Sequence, residues 1–222
     1  MFSHLVIYMT TFVRRGRVKY SHGKWAGNRP LWMALSVVWS NVHHFSIVYK
    51  VQSSLWELLH MNYMCAYFAK IIFQDTGICK LCNRDQNERT NIFLTCNIIN
   101  SVYGVFLPLL DKILYIGIVS HKENIMGIKL DPNNHDRDIL RNYITSTIKH
   151  VVYRNRNVKF GDFQKTIDSL VKNIRNFLKN DVHMKHKMAS YTNSLDKLSS
   201  MYLTGNILWS FRDDNTLVFQ DF

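Results

Sequence analysis

The stretch ILRNYITSTIKHVV, residues 139–152, decides the fold because it predicts a long helix with one buried face. Its stripe residues recur at steps of three and four, the spacing that aligns side chains along one side of an α-helix. The stripe consists of Ile139, Leu140, Tyr143, Ile144, Thr147, Ile148, Val151 and Val152. Arg154 and Arg156 follow it, and their positive charges suit the negative C-terminal end of a helix dipole.

Helical periodicity continues on both sides of this stretch. FSIVYKVQSSLWELLHMN (45–62) and YMCAYFAKIIF (63–73) carry similar stripes, and another begins after Cys96 with Ile99, Val102, Tyr103 and Phe106. Pro108 is expected to end that helix or to open the next one in its first turn. Asp162 is expected to cap a further long helix, with a stripe of Phe163, Ile167, Leu170, Val171, Ile174, Phe177 and Leu178.

The end of the chain predicts a different structure. ILWSF (207–211) and TLVFQ (216–220) are rich in β-branched and aromatic residues, and they flank RDDN. This pattern indicates a hairpin with a four-residue turn. The predicted fold class is therefore mainly α: a helical bundle with a small zinc-knuckle-like loop and a C-terminal β-hairpin.

Charge and turn patterns divide the chain into five predicted segments. They are a basic N-terminal segment (1–42), a helical zinc-knuckle-like region (43–119), a linker (120–135), a basic helical region (136–203) and a β-hairpin tail (204–222). The linker is predicted from Asp131-Pro132 followed by two asparagines, which are residues typical of turns.

The positive charge of the chain predicts an acidic partner. The formal net charge is +12, and residues 137–187 hold twelve Lys and Arg against four Asp. Nucleic acid is the commonest partner of such a chain, so RNA or DNA bound through its phosphates is expected. The candidate contacts are Arg14, Arg15, Arg17, Lys19, Lys24, Arg154, Arg156 and Lys159. The first five could instead form a solvated arm, and the last three could cap a helix.

Composition argues against several other classes. Hydrophobic residues make up 47% of the chain, which disfavours global disorder. Residues 98–119 are long enough to span a bilayer, but Asp111, Lys112 and Pro108 interrupt them, so a buried helix pair and no membrane contact are expected. Four cysteines do not make a disulfide framework in a chain of 222 residues. A reducing intracellular location, nuclear or cytoplasmic, is therefore expected.

A candidate metal site lies in CKLCNRDQNERTNIFLTC, residues 79–96. Cys79, Cys82 and Cys96 supply three ligands in the C-x2-C spacing that directs two thiolates at one zinc ion. Asn91 stands where a fourth ligand would be expected, and a carboxamide oxygen is a poor zinc ligand. The fourth ligand could instead be Cys65, His60, Glu88 or water. Alternatively, the cysteines are buried thiols without metal, or their spacing is coincidental.

These motifs resemble the zinc-binding segment downstream of the polymerase in non-LTR (LINE-type) retrotransposon reverse transcriptases. That family has a W-x-L-L-H helix, then C-x2-C, then an acidic residue and a Thr or Ser that lead to His-x4-Cys. The matching positions here are Trp56, Leu58, Leu59, His60, Cys79, Cys82, Glu88, Thr90, Ile92, Phe93, Leu94, Cys96 and Tyr103. Asn91 occupies the position of the family's histidine.

The resemblance implies a non-catalytic nucleic-acid-binding module, either an isolated or a decayed fragment, with zinc as cofactor and a reverse transcriptase polymerase domain as a partner. No polymerase, nuclease or hydrolase motif is found in the sequence, so no enzymatic activity is expected. The alternative is a helical protein-interaction or structural protein whose cysteines are inert. Binding to nucleic acid that weakens steeply with salt distinguishes the first function from the second.

Overall fold

The computed structural model describes residues 35–44, 46–59, 66–84, 96–113, 127–128, 130–158, 161–192, 208–212 and 217–220. Within these residues the chain forms helices α1 (Leu35–Val42), α2 (Tyr49–Leu59), α3 (Ala66–Phe73), α4 (Asn97–Ile113), α5 (His135–Asn155) and α6 (Phe163–Thr192). Strands β1 (Trp209–Phe211) and β2 (Leu217–Phe219) follow. The predicted fold class, mainly helical with a C-terminal hairpin, is confirmed.

Helix α5 is the centre of the fold, since it contacts α2, α4 and α6. Every residue from Asp138 to Tyr153 is buried, including the polar ones. The sequence predicted one buried face for this helix, whereas the structure buries all of its sides over these residues. The polar side chains are buried because they bond to the backbone: Thr147 donates to the Tyr143 carbonyl at 3.0 Å, and Arg141 to the Leu110 carbonyl at 3.4 Å.

Helices α2 and α5 run parallel to each other where they touch. The hydroxyl of Ser54 is hydrogen-bonded to Nδ1 of His150 at 2.8 Å, and one turn later Tyr153 donates a hydrogen bond to Glu57. Both contacts join residues separated by 96 positions. The equal separation means that the two helices advance together, so a residue of α2 lies level with its counterpart on α5.

Ile128, which lies shortly before α5, is hydrogen-bonded to that helix. The backbone N–H of Ile128 donates to the Asn142 side chain at 2.9 Å, and the amides of Asn142 and Asn41 donate back to the Ile128 carbonyl at 3.1 and 3.0 Å. Gly127 has a φ of +84°, and a Cβ there would lie 2.7 Å from Asn41 Nδ2. A glycine is thus required where the predicted linker enters the fold. The division of the chain into five segments stays a prediction.

Helix α4 continues through Pro108, which corrects the prediction that this residue ends or opens a helix. A proline inside a helix removes one hydrogen bond and crowds the residue four positions earlier. That residue is Gly104, which has no Cβ and has open space where one would be. Both residues are exposed, so water can reach the carbonyl that Pro108 leaves unbonded. The buried stripe then continues with Leu109, Leu110 and Ile113.

Helix α6 begins where the sequence predicted. The side chain of Asp162 accepts a hydrogen bond from the Lys165 N–H at 2.8 Å, which is the geometry of an N-cap. The predicted stripe is buried at Ile167, Leu170, Val171, Ile174 and Leu178. Phe163 is exposed and Phe177 is half-buried, so the ends of the stripe differ from the prediction.

The hairpin packs Trp209 into the helical core and Phe219 against it. Strands β1 and β2 are antiparallel, with Trp209 paired to Phe219 and Phe211 paired to Leu217. Trp209 is fully buried and meets the Phe219 ring edge-on at 5.1 Å. Residues 213–216, which include most of the predicted turn, lie outside the described residues. Among the helices that are described, none has both the length and the hydropathy needed to cross a bilayer.

Candidate metal centre

Three cysteine side chains converge at one end of the bundle. The sulfur atoms of Cys79, Cys82 and Cys96 all lie within 4.8 Å of one another, and the three cysteines are free thiols. Sulfurs bound to one zinc ion at about 2.3 Å in a tetrahedron lie roughly 3.8 Å apart. The three thiols are thus close enough to bind one metal ion, as their spacing in the sequence predicted.

The first two cysteines are positioned by a tight turn that follows α3. The backbone N–H of Asn83 donates to the Cys79 carbonyl at 2.8 Å, and the Cys79 N–H donates to the Arg84 carbonyl at 2.9 Å. Asn83 has a φ of +55°, a left-handed conformation that asparagine adopts more readily than most residues. These bonds close the chain on itself, so the Cys79 and Cys82 side chains are presented from the same loop.

The third cysteine is positioned by helix α4. The carbonyl of Cys96 accepts a hydrogen bond from the Asn100 N–H at 3.0 Å, which makes Cys96 the residue that precedes the first turn. Ile98 and Ile99 are fully buried just after it, so they hold that turn in the core. With the Asn97 amide oxygen facing Arg84, the guanidinium donates to it at 2.9 Å. This bond joins the two arms of the site.

Burial differs among the three thiols. Cys79 and Cys96 are buried and belong to the hydrophobic core, whereas Cys82 packs against the core and is partly exposed. A metal ion held by all three would therefore lie at the edge of the core, with its open side near Cys82. An ion in that place would tie the loop of residues 79–84 to the start of α4.

The three thiols also differ in pKa. A hydrogen bond from the Cys96 thiol lowers the pKa of Cys79 to about 6. The same hydrogen bond, together with burial, raises the pKa of Cys96. Burial raises the pKa of Cys82. Cys79 is therefore the thiolate of the cluster at neutral pH, and it is the sulfur ready to take a metal without first losing a proton.

The fourth position of the site is not among the described residues. Asn91, His60, Cys65 and Glu88, the residues considered for it, all lie outside them. Three thiol donors suit soft or borderline metals such as Zn²⁺, Cu⁺ and the iron of iron–sulfur clusters. The donor set thus fits a metal ion, and the choice of metal requires the fourth ligand.

The predicted nucleic-acid contacts fall in three places. Arg154 is exposed in the last turn of α5. Arg156 is half-buried; it donates to the Tyr153 carbonyl at 2.6 Å and lies 4.1 Å from the centre of the Tyr153 ring, so it caps the helix. Lys159 and the five N-terminal residues lie outside the described residues. Those five are Arg14, Arg15, Arg17, Lys19 and Lys24.

A further basic surface lies within the predicted basic helical region, although none of its lysines was predicted as a nucleic-acid contact. Lys165, Lys172 and Lys179 are exposed on α6, opposite the apolar residues that face the core. They are spaced seven residues apart, which is two helical turns or about 10 Å, so they form one line. We call them the α6 lysine row. Their common spacing of seven could have revealed this row before the structure was known.

Comparison with known proteins identifies no relative of this chain. No family model matches it, and neither a curated protein nor a solved structure matches it.

Proposed function

We propose that this chain is a non-catalytic nucleic-acid-binding module with a zinc ion held by Cys79, Cys82 and Cys96. The observation that carries the proposal is the convergence of these three thiols, in a chain whose helix α6 exposes a line of lysines. The same combination of cysteine loop and basic helices is implied by the resemblance to the zinc-binding segment of non-LTR reverse transcriptases. A polymerase domain is the protein partner implied by that resemblance.

Zinc is proposed because the donor set consists of thiols and the site is structural. Zn²⁺ accepts three thiolates and one further ligand in a closed tetrahedral site, and it has no redox chemistry that would damage the core. When bound, it supplies a cross-link between the loop and α4. The chain's own residues already approximate the site, since the turn bonds hold Cys79 and Cys82 and the first turn of α4 holds Cys96.

The α6 lysine row is the proposed contact with nucleic acid. Of its three lysines, Lys165 lies near an acid, 3.7 Å from Asp162 in an exposed pair. Exposed pairs of this kind contribute little energy, so Lys165 remains able to neutralise a phosphate. Contacts to phosphates carry no base information. We therefore expect binding to random RNA and duplex DNA that depends on charge.

The test is the salt dependence of binding to a fluorescent single-stranded RNA. We expect a dissociation constant in the micromolar range or tighter at low salt, with affinity falling as salt rises. Each phosphate contact contributes a slope of about 0.7 in a log–log plot, so Lys165→Gln, Lys172→Gln and Lys179→Gln together should lower the slope by about 2. Lys112→Gln, at an exposed position on α4, is the control. Absent or salt-independent binding by the unmodified chain would refute the function.

One observation favours the alternative, a protein-interaction role. Ile71, Ile72 and Phe73 at the end of α3 are 58%, 56% and 67% exposed. Adjacent large apolar side chains are unusual on a free surface and often mark a contact with another protein. If nucleic-acid binding is absent while Ile72→Lys alters the oligomeric state measured by sedimentation, the protein-interaction role is the better account.

A further inference from the structure

A second basic site lies where α2 and α5 run side by side. Lys50 and Ser54 are four residues apart on α2, and His150 and Arg154 are four residues apart on α5. Side chains with this spacing lie on the same face of a helix. The hydrogen bond between Ser54 and His150, 2.8 Å long, joins the two faces. Because the helices are parallel, Lys50 lies one turn before this bond and Arg154 one turn after it.

The ring of Phe177 on α6 completes the base of this site. It meets the His150 ring edge-on at 5.2 Å, and the Lys50 ammonium lies 4.5 Å from its centre. The ammonium is therefore held over an aromatic surface, which reduces its freedom of movement. Ser54 and His150 are buried, while Lys50 and Arg154 are exposed. The site thus has a buried neutral floor with a cation at each end.

Among the described residues, the two cations have no acidic partner. Neither Lys50 nor Arg154 forms an ion pair with any residue in the described part of the chain. The only acid on α2 is Glu57, and it accepts the hydrogen bond of Tyr153. Lys50 also lies in the first turn of α2, where the helix dipole repels a positive charge. Such an arrangement is unfavourable by itself and becomes favourable when an anion is bound.

The floor stays uncharged at neutral pH. Burial, with smaller effects from Lys50 and Arg154, lowers the pKa of His150 to about 4. The positive charge of the site therefore comes from the two exposed side chains, which both lie near enough to the His150 ring to lower its pKa.

We propose that Lys50 and Arg154 form a phosphate-binding site above the Ser54–His150 pair and the Phe177 ring. A phosphate accepts charge-assisted hydrogen bonds from both side chains. The proposed function supplies the source of this phosphate, the backbone of a bound nucleic acid, and the α6 lysine row is a separate surface. Arg154 was predicted from the sequence as a nucleic-acid contact, whereas Lys50 was not; the structure adds Lys50 to the candidate contacts.

The first experiment measures binding of the same single-stranded RNA to Lys50→Gln and Arg154→Gln, with Lys112→Gln as the matched control. A lost phosphate contact with a slope of about 0.7 corresponds to a roughly fivefold weaker affinity at 0.1 M salt. We expect about that loss for each of the two variants and none for the control. If the unmodified chain binds RNA but both variants match the control, the phosphate site is refuted and the nucleic-acid function survives. If the unmodified chain does not bind RNA, the function itself fails.

The second experiment locates the ligand. NMR signals of the His150 ring and the Arg154 side chain are followed while inorganic phosphate, and separately the RNA, are added. We expect both ligands to shift these signals in the unmodified chain, and neither to shift the His150 signal in Lys50→Gln. Shifts with inorganic phosphate alone would overturn the assignment to a nucleic-acid backbone. No shift with either ligand would overturn the site.

Discussion

Replacement of Ser54 by alanine tests whether the contact between α2 and α5 holds the fold together. The substitution removes the only hydroxyl bonded to Nδ1 of His150 among the described residues and leaves that buried nitrogen unpaired. An unsatisfied buried polar group costs about 1–3 kcal/mol. Because Ser→Ala also improves helix propensity by about 0.5 kcal/mol, the control must carry the same change.

Ser53→Ala is that control, since Ser53 neighbours Ser54 on the same helix and is only half-buried. The propensity terms cancel in the difference between the two variants. That difference then reports the bonds lost by the Ser54 hydroxyl, which also donates to the Lys50 carbonyl at 3.2 Å. In a chain of this size 1 kcal/mol corresponds to about 2–4 °C in melting temperature. We therefore expect Ser54→Ala to melt roughly 2–12 °C below Ser53→Ala in calorimetry at pH 7. Equal melting temperatures would refute a stabilising buried hydrogen bond between Ser54 and His150.

Two further predictions concern the core. Phe106→Ala, at a fully buried position on α4, should lower the free energy of unfolding, measured in urea, by about 3–5 kcal/mol. Val105→Ala, on the exposed side of the same helix, should lower it by less than about 1 kcal/mol. Equal losses would contradict a continuous helix with one buried face. Burial lowers the pKa of Lys149 to about 7 from its usual 10.5. Between these two pH values Lys149 is protonated in the unfolded state and neutral in the folded state. Stability should therefore rise with pH from about 7 to 10, by up to about 1.4 kcal/mol per unit relative to Lys149→Met; parallel pH curves for the two proteins would contradict the burial.

The helices were predictable because apolar periodicity is a local signal. The stripe of α5 and the N-cap Asp162 both follow from the residues nearby, and both are present in the structure. The complete burial of α5 was not predictable. Its polar residues are satisfied by partners such as the Leu110 carbonyl and Ser54, which lie far away in the sequence.

The course of α4 shows a second limit of sequence reasoning. Pro108 is normally a helix breaker, and its penalty is reduced here by Gly104 four residues earlier and by exposure of both residues. The pairing of a proline with a glycine at that distance is a signal that the sequence contains. Whether water reaches the unbonded carbonyl depends on which face is exposed, and that is a property of the tertiary structure.

The candidate metal site was predictable in part, because the spacing of its cysteines is also a local signal. The C-x2-C spacing implied that Cys79 and Cys82 share a turn, and that Cys96 returns to them was expected from the length of the intervening loop. The Lys50–Arg154 site was not predictable, because it depends on α2 and α5 lying parallel and in register. No pattern within either helix specifies this pairing.

The metal content of the purified protein tests the central claim most directly. Protein prepared without chelator is analysed by mass spectrometry for metals, together with Cys82→Ser and with Asn91→His, which restores the histidine of the resembling family. The account predicts about one zinc per chain, loss of zinc in Cys82→Ser, and tighter zinc binding with a higher melting temperature in Asn91→His, because metal binding contributes to folding energy. A metal-free protein whose melting temperature does not change with added zinc would contradict it.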